Sequence, residues 1–162
     1  AVGANASLLL NIPPDTHGRI AAPDCASLAE LGAKIQQIFA SNVTEKAAIT
    51  ADSAIAQHPI TQAVDGMANT YWQAAYGQES DTITLNFPKP QKVSCVVLGE
   101  HLPTGQRIES GEIWADGSKA SEFTVVGHKR ICRFTPVDVQ TLTILMPCLR
   151  YITMKVGSFI FE

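Results

Sequence analysis

From Lys46 onward, apolar residues recur at every second position in short runs, and that period decides the fold class. Ile83, Leu85 and Phe87 alternate with Thr82, Thr84 and Asn86, the pattern of a strand with one face buried and one face wet. Residues 92–100 are nearly all apolar and suit a central strand covered on both faces. Further strand-like runs follow at 112–115, 122–128, 129–134, 141–146 and 156–161. Pro88 and Pro90, Asp116-Gly117, Pro136 and Pro147 punctuate them. Short strands with turn signals at this spacing predict a mainly β chain, an antiparallel sandwich or barrel.

The first forty residues follow a different grammar. Leu8, Leu9, Leu10 and Ile12 form a continuous apolar run, which predicts a strand buried on both faces. Pro13-Pro14 ends it, because neither proline can donate to a ladder. Residues 15–18, DTHG, form a turn, with Gly18 free to take positive φ. Pro23 suits a first helical turn, and Asp24 is favourable beside a helix N-terminus. Leu28, Leu31, Ile35, Ile38 and Phe39 recur at helical spacing and make one apolar stripe over 23–40. A doubly buried strand plus an amphipathic helix is one unit of an α/β fold, and it cannot cover both its faces alone.

With 162 residues the chain is long enough for one domain with an appendage and a proper core. A formal charge of −3 implies no phosphate-binding surface and no affinity for anionic lipid, so neither nucleic acid nor membrane is an expected partner. No basic segment followed by a long apolar one opens the chain, so a leader, if the protein is exported, lies elsewhere. Cys25, Cys95, Cys132 and Cys148 show no metal spacing and read as buried free thiols. That favours a reducing compartment, whereas the sequons Asn5-Ala6-Ser7 and Asn42-Val43-Thr44 favour export, and localisation stays open between periplasm, exterior and cytoplasm.

Two groups of motifs carry a resemblance. LLLNIPPDTHGRI followed by LAELGAKIQQIFASN resembles the end of the catalytic (β/α) barrel of glycoside hydrolase family 29 α-L-fucosidases. AVDGMANTYWQA, ITLNFPKP, VVLGEHLPTGQRI and GHKRICRF resemble the discoidin-like sandwich that follows the barrel in many such enzymes. That fold is also called factor five/eight type C or galactose-binding-like, and family 32 carbohydrate-binding modules share it. The resemblance implies a barrel strand and helix over 1–42 and a jelly-roll sandwich over 43–162. It implies an accessory C-terminal domain that binds a fucosylated or galactose-containing glycan, with the parent's barrel as its partner. The alternative is a structural domain that buttresses the barrel without binding sugar.

Retaining glycosidases need two carboxyl groups about 5 Å apart. In the family these lie upstream of the LLLNIPP strand, and none of the 15 carboxylates here sits in a matching motif, so the chain alone is expected to hydrolyse no fucoside. The resemblance also implies a structural calcium held by Asp65 and the Thr70 hydroxyl, a hard-oxygen set. An acid near the C-terminus completes that site in the family; Ser158 stands in its place here. The competing expectation is that Asp65 and Thr70 only cap a tight turn around Gly66, with no cofactor. Trp72 reads as core, and Tyr76, in the polar loop QAAYGQES, as the exposed ring best suited to a sugar face. Glu100, His101, Gln106 and Arg107 form one dense polar group at a strand end; His128, Lys129 and Arg130 form another. Both suit sugar hydroxyls or an interface, and Glu100 with Arg107 could pair to bind hydroxyls bidentately.

Overall fold

The computed structural model describes residues 7–147 and 152–159. Helix α1 spans Ala22–Phe39. The strands are β1 Ala48–Ala51, β2 Trp72–Gln73, β3 Ser80–Glu100, β4 Gly111–Ala115, β5 Ser118–Phe123, β6 Arg130–Pro147 and β7 Thr153–Phe159. Every pairing among them is antiparallel.

The long strands β3 and β6 absorb the prolines that looked like strand breaks. Asn86 pairs with Thr141 and Gln91 with Val139, so Phe87, Pro88, Lys89 and Pro90 stand against Gln140 alone. Further along, Val93 pairs with Val137 and Cys95 with Arg133, so Phe134, Thr135 and Pro136 stand against Ser94 alone. All three prolines fall in bulges, where no ladder N–H is needed. The bulges bend both strands, and each strand contributes to two layers. The first half of β3 pairs with β1 and with the end of β6, which continues to β4 and β5. Its second half pairs with β7, which carries β2, and with the start of β6. This is a β-sandwich, and the expected period-two faces meet between its layers. Ile83, Leu85, Ile113, Leu142 and Ile144 from one layer pack in the same core as Val96, Leu98, Met154 and Val156 from the other. The expected strand at 122–128 is shorter than predicted: β5 ends at Phe123, and 124–128 form a loop drawn onto Glu100. Asp116 and Gly117, both at positive φ, make the β4–β5 hairpin turn.

Gly111 shows how closely β4 sits. A Cβ there would lie 2.2 Å from Phe123 Cζ and 2.7 Å from the Leu145 carbonyl oxygen. The ring can turn away, but the carbonyl belongs to the β6 ladder. Gly111→Ala should cost about 1–3 kcal/mol, as overpacking does. It should appear as a lower urea midpoint at unchanged slope. An unaltered midpoint would mean that β4 can slide without loss.

The N-terminal segment keeps its turn and helix but not its strand. Asp15 Oδ1 accepts from His17 N at 2.8 Å and Arg19 N at 2.9 Å, and Gly18 takes φ +73°. Pro23 and Asp24 lie in the first turn of α1, as expected. Residues 8–12 pair with no strand, which corrects the doubly buried strand expected there. Among the described residues no sheet edge meets them. Leu8, Leu9 and Leu10 are 65%, 95% and 53% exposed. The α1 stripe is only partly covered: Leu28, Ile35, Ile38 and Phe39 are half-buried, no residue of the helix is fully buried, and Leu31 is 46% exposed. Residues 10–13 lean over Leu28 and Leu31 and bound a groove of about 250 Å³.

Cys95 and Cys132 are buried free thiols, as expected, and burial pushes the Cys132 thiol up to about 11, against the opposing pull of Arg130. Cys25 is free but exposed in the first turns of α1, which corrects its expected burial. Cys148 lies outside the described residues.

Candidate functional site

The polar residues singled out in the sequence gather at the end of β3 where it leaves the sandwich. A recess of about 560 Å³ opens there. Its walls are the 66–71 loop, the end of β3 with His101, the 128–129 loop and 155–157 of β7. Of the sequence candidates, Thr70, Glu100, His101, His128 and Lys129 line it. Tyr76, Gln106, Arg107 and Arg130 do not, and Tyr76 stands apart, 68% exposed at the turn after β2.

Glu100 holds the loops that shape the recess. Its Oε1 accepts from Arg107 N at 2.7 Å and Ile108 N at 3.0 Å, and its Oε2 accepts from Gly127 N at 2.6 Å. The Glu100 N–H donates in turn to the Gly127 carbonyl at 2.8 Å. One 7% exposed carboxylate therefore ties 107–108 and 127 to the strand end. The expected union of Glu100 with Arg107 is made through the Arg107 backbone N–H, while its Nη2 donates to the Thr104 carbonyl at 2.5 Å. Both Glu100 oxygens are thus engaged by backbone N–H groups, and the carboxylate positions the loops around the recess. Gly99 permits the close approach, since a Cβ there would lie 3.0 Å from the His128 carbonyl oxygen.

His101 carries the aromatic surface of the site. Its ring stacks on Tyr71 at 3.9 Å, and Tyr71 stacks on His58 at 4.0 Å. Gln62 Oε1 lies 3.1 Å from His58 Nδ1 and orients the outer ring. Burial, and then the neighbouring His58, push His101 below the ordinary imidazole range. Sequence reasoning missed Tyr71 and His58. Period two could have found Tyr71, because if Trp72 points inward its neighbour points out to the loop side. Trp72 is indeed core, fully buried, with Nε1 donating to the Ser53 carbonyl at 3.0 Å.

Asp65 and Thr70 come together, as both sequence readings require. Asp65 Oδ1 accepts from Met67 N at 2.9 Å, Thr70 Oγ1 donates to Asp65 Oδ2 at 2.5 Å, and Gly66 takes φ +73°. The loop also holds a residue that sequence reasoning did not place there. Lys155 Nζ lies 2.7 Å from Asp65 Oδ1 and 2.9 Å from Thr70 Oγ1, and it donates to the Met67 carbonyl. Partial burial pushes the Asp65 carboxyl up, but hydrogen bonds from Lys155, Thr70 and Met67 outweigh it and hold the group at about 2. A depressed carboxyl contributes stability that is complete above its unfolded value near 3.8 and is lost as pH falls through about 2. An ammonium thus stands against the Asp65 and Thr70 oxygens for which a calcium was the competing expectation, and the residues as they are do not fit a divalent ion. The signal was a lysine inside the apolar run of β7.

The fold defines a class first. The family 32 carbohydrate-binding module from C. perfringens, solved in complex with galactose, shares this discoidin-like sandwich. It superposes with TM-score 0.63 at 20% identity, covering 72% of this chain and 96% of that one. Beyond that class, the similar proteins that cover nearly the whole chain are α-L-fucosidases. α-L-Fucosidase 1 of Arabidopsis thaliana is 26% identical over 177 residues, covering 98% of this chain and 35% of its own length. A rice relative named for the same activity is 27% identical over 154 residues, covering 88% of this chain and 29% of its own length. A Bacteroides thetaiotaomicron structure, also named for it, superposes with TM-score 0.91 at 25% identity, covering 98% of this chain and 37% of that one. A Ruminococcus gnavus family 29 fucosidase in complex with fucose gives TM-score 0.90 at 24% identity, over 98% of this chain and 34% of that one. The chain thus spans about a third of the length of these relatives. No protein-family profile matches it.

Proposed function

We propose that this chain is the accessory C-terminal region of an α-L-fucosidase and that its sandwich binds a fucosylated or galactose-containing glycan for the parent enzyme. The reading rests on one observation above the others: the superposition on fucosidases runs through α1 and the sandwich together. The division falls at 42/43. Residues 1–42 complete a catalytic barrel supplied by the rest of the parent, and 43–162 form the glycan-binding module. The catalytic carboxylates belong to that barrel, so the chain alone has no hydrolytic role.

The recess at the end of β3 supplies the sugar site. A pyranose needs one apolar or aromatic surface and a few fixed polar groups. His101, held by Tyr71, supplies the surface; His128 and Lys129 supply the polar groups. Calorimetric titration with L-fucose, D-galactose and fucosylated oligosaccharides tests it. Binding is expected for the intact chain, with His101→Ala weakening it about tenfold, equivalent to ~1.4 kcal/mol. Binding that survives His101→Ala unchanged would move the site elsewhere. No binding by any of these sugars would leave the second reading.

That second reading is a purely structural domain, and the exposed apolar segment favours it. Leu8, Leu9, Leu10, Ile20 and Leu31 are all at least 46% exposed. Such a surface calls for cover by another body, here the barrel.

A further inference from the structure

We infer that Lys155 is the resident cation of the 65–70 loop, doing with an ammonium what a divalent ion does for a loop of oxygen donors. The inference is independent of any sugar binding. Three oxygens of different kinds converge on Nζ: the Asp65 carboxylate at 2.7 Å, the Thr70 hydroxyl at 2.9 Å and the Met67 carbonyl. A carboxylate, a carbonyl and a hydroxyl together make a hard-cation donor set. The three are also bonded to one another within the loop: Met67 N and Thr70 Oγ1 both donate to Asp65. The loop therefore closes around a positive charge that arrives from β7, 90 residues away in sequence.

The placement has two consequences. An ammonium has three N–H groups, and here each has an acceptor, so the charge of Lys155 is fully satisfied by the loop. A second cation would meet the lysine charge at contact distance and compete with Nζ for the same three oxygens, so calcium has no place in the native chain. The same loop supplies Gly66, Met67 and Thr70 to the wall of the recess, and Lys155 lines it too. The shape of that wall is therefore fixed by the covalent chain alone and owes nothing to metal supply. Removing the amine should expose the cation requirement. In Lys155→Glu, a carboxylate replaces the ammonium opposite the three oxygens, and the set becomes one that calcium completes.

Thermal unfolding of the full chain, followed by circular dichroism with a chelator or with calcium chloride, tests this. The native chain should give one midpoint in both. Lys155→Met should melt lower in both, with amides 66–70 exchanging about tenfold faster. Lys155→Glu should melt lowest with chelator and recover in calcium. If Lys155→Glu does not fold, the native chain still decides: amide exchange at 66–70 must be the same with chelator and with calcium. A native midpoint that rises in calcium, protection of 66–70 by calcium, or a Lys155→Met variant identical to the native chain would overturn the assignment.

Discussion

Trp72→Ala should remove most of the stability of this chain. Trp72 is fully buried on β2 and shares the core with Ile83, Leu98, Ile152 and Met154. Deleting a buried tryptophan side chain costs about 3–5 kcal/mol. A second loss adds to it. Trp72 Nε1 donates to the Ser53 carbonyl at 3.0 Å, and that carbonyl would lose its donor. Ser53 is a junction: its hydroxyl donates to Asp81 and accepts from Ala75 N at 2.9 Å. Asp81 is itself buried, and burial lifts its carboxyl above the usual range against the pull of Ser53. Loosening Ser53 therefore disturbs a buried carboxylate as well. Against a total stability on the order of 5–15 kcal/mol, the sum leaves a marginal fold. Trp72→Phe keeps a ring but drops the N–H, and about 1–3 kcal/mol is expected for it. Urea titration followed by far-ultraviolet ellipticity separates the two. An alanine variant within 1 kcal/mol of the native chain, a figure taken as roughly the scale of surface changes, would show that β2 is peripheral.

The sandwich was legible because its period is local. Ile83, Leu85 and Phe87 face the core with no exception, and Asp116-Gly117 turns where it was expected to turn. What was not legible depended on a partner strand. Pro88 and Pro136 break a strand only if an N–H is needed there, and the register of β3 on β6 decides that it is not. The run 8–12 failed in the opposite sense. It has the composition of a buried strand, but composition supplies no ladder, and no described neighbour does.

The site divides along the same line. Glu100, His101, His128 and Lys129 stood out because polar residues cluster beside apolar strands, and they do line one recess. Their roles were not legible. Whether Glu100 faces a ligand or backbone depends on loops that meet only in the fold. Tyr71 acquires its place from His58 and His101, thirteen positions before it and thirty after. Lys155 acquires its place from a loop 90 residues upstream.

Glu100→Ala should cost about as much as a large core deletion while removing almost no apolar surface. Three backbone N–H groups, of Arg107, Ile108 and Gly127, would lose a charged acceptor in a buried setting. Hydrogen bonds to a charged group contribute about 1.5–3 kcal/mol each, and an orphaned buried donor costs about 1–3. The three share one carboxylate, so their contributions do not add, and about 3–5 kcal/mol is the expected total. Glu100→Gln should fall between the two. Its amide keeps one acceptor oxygen but turns an NH₂ towards a neighbouring N–H. The distinctive effect is local. Loops 101–108 and 124–129 should lose amide protection before the sandwich does, because the carboxylate is what joins them to β3. The Lys155 clamp on 65–70 uses none of the Glu100 bonds and should hold. If sugar binding resides there, Glu100→Gln should weaken it through disordered walls, whereas His101→Ala weakens it with protection intact. Exchange measured by mass spectrometry on the intact chain distinguishes these. Uniform loss of protection across all strands in Glu100→Gln would mean that the carboxylate supports the sandwich as a whole and is no tether of the site.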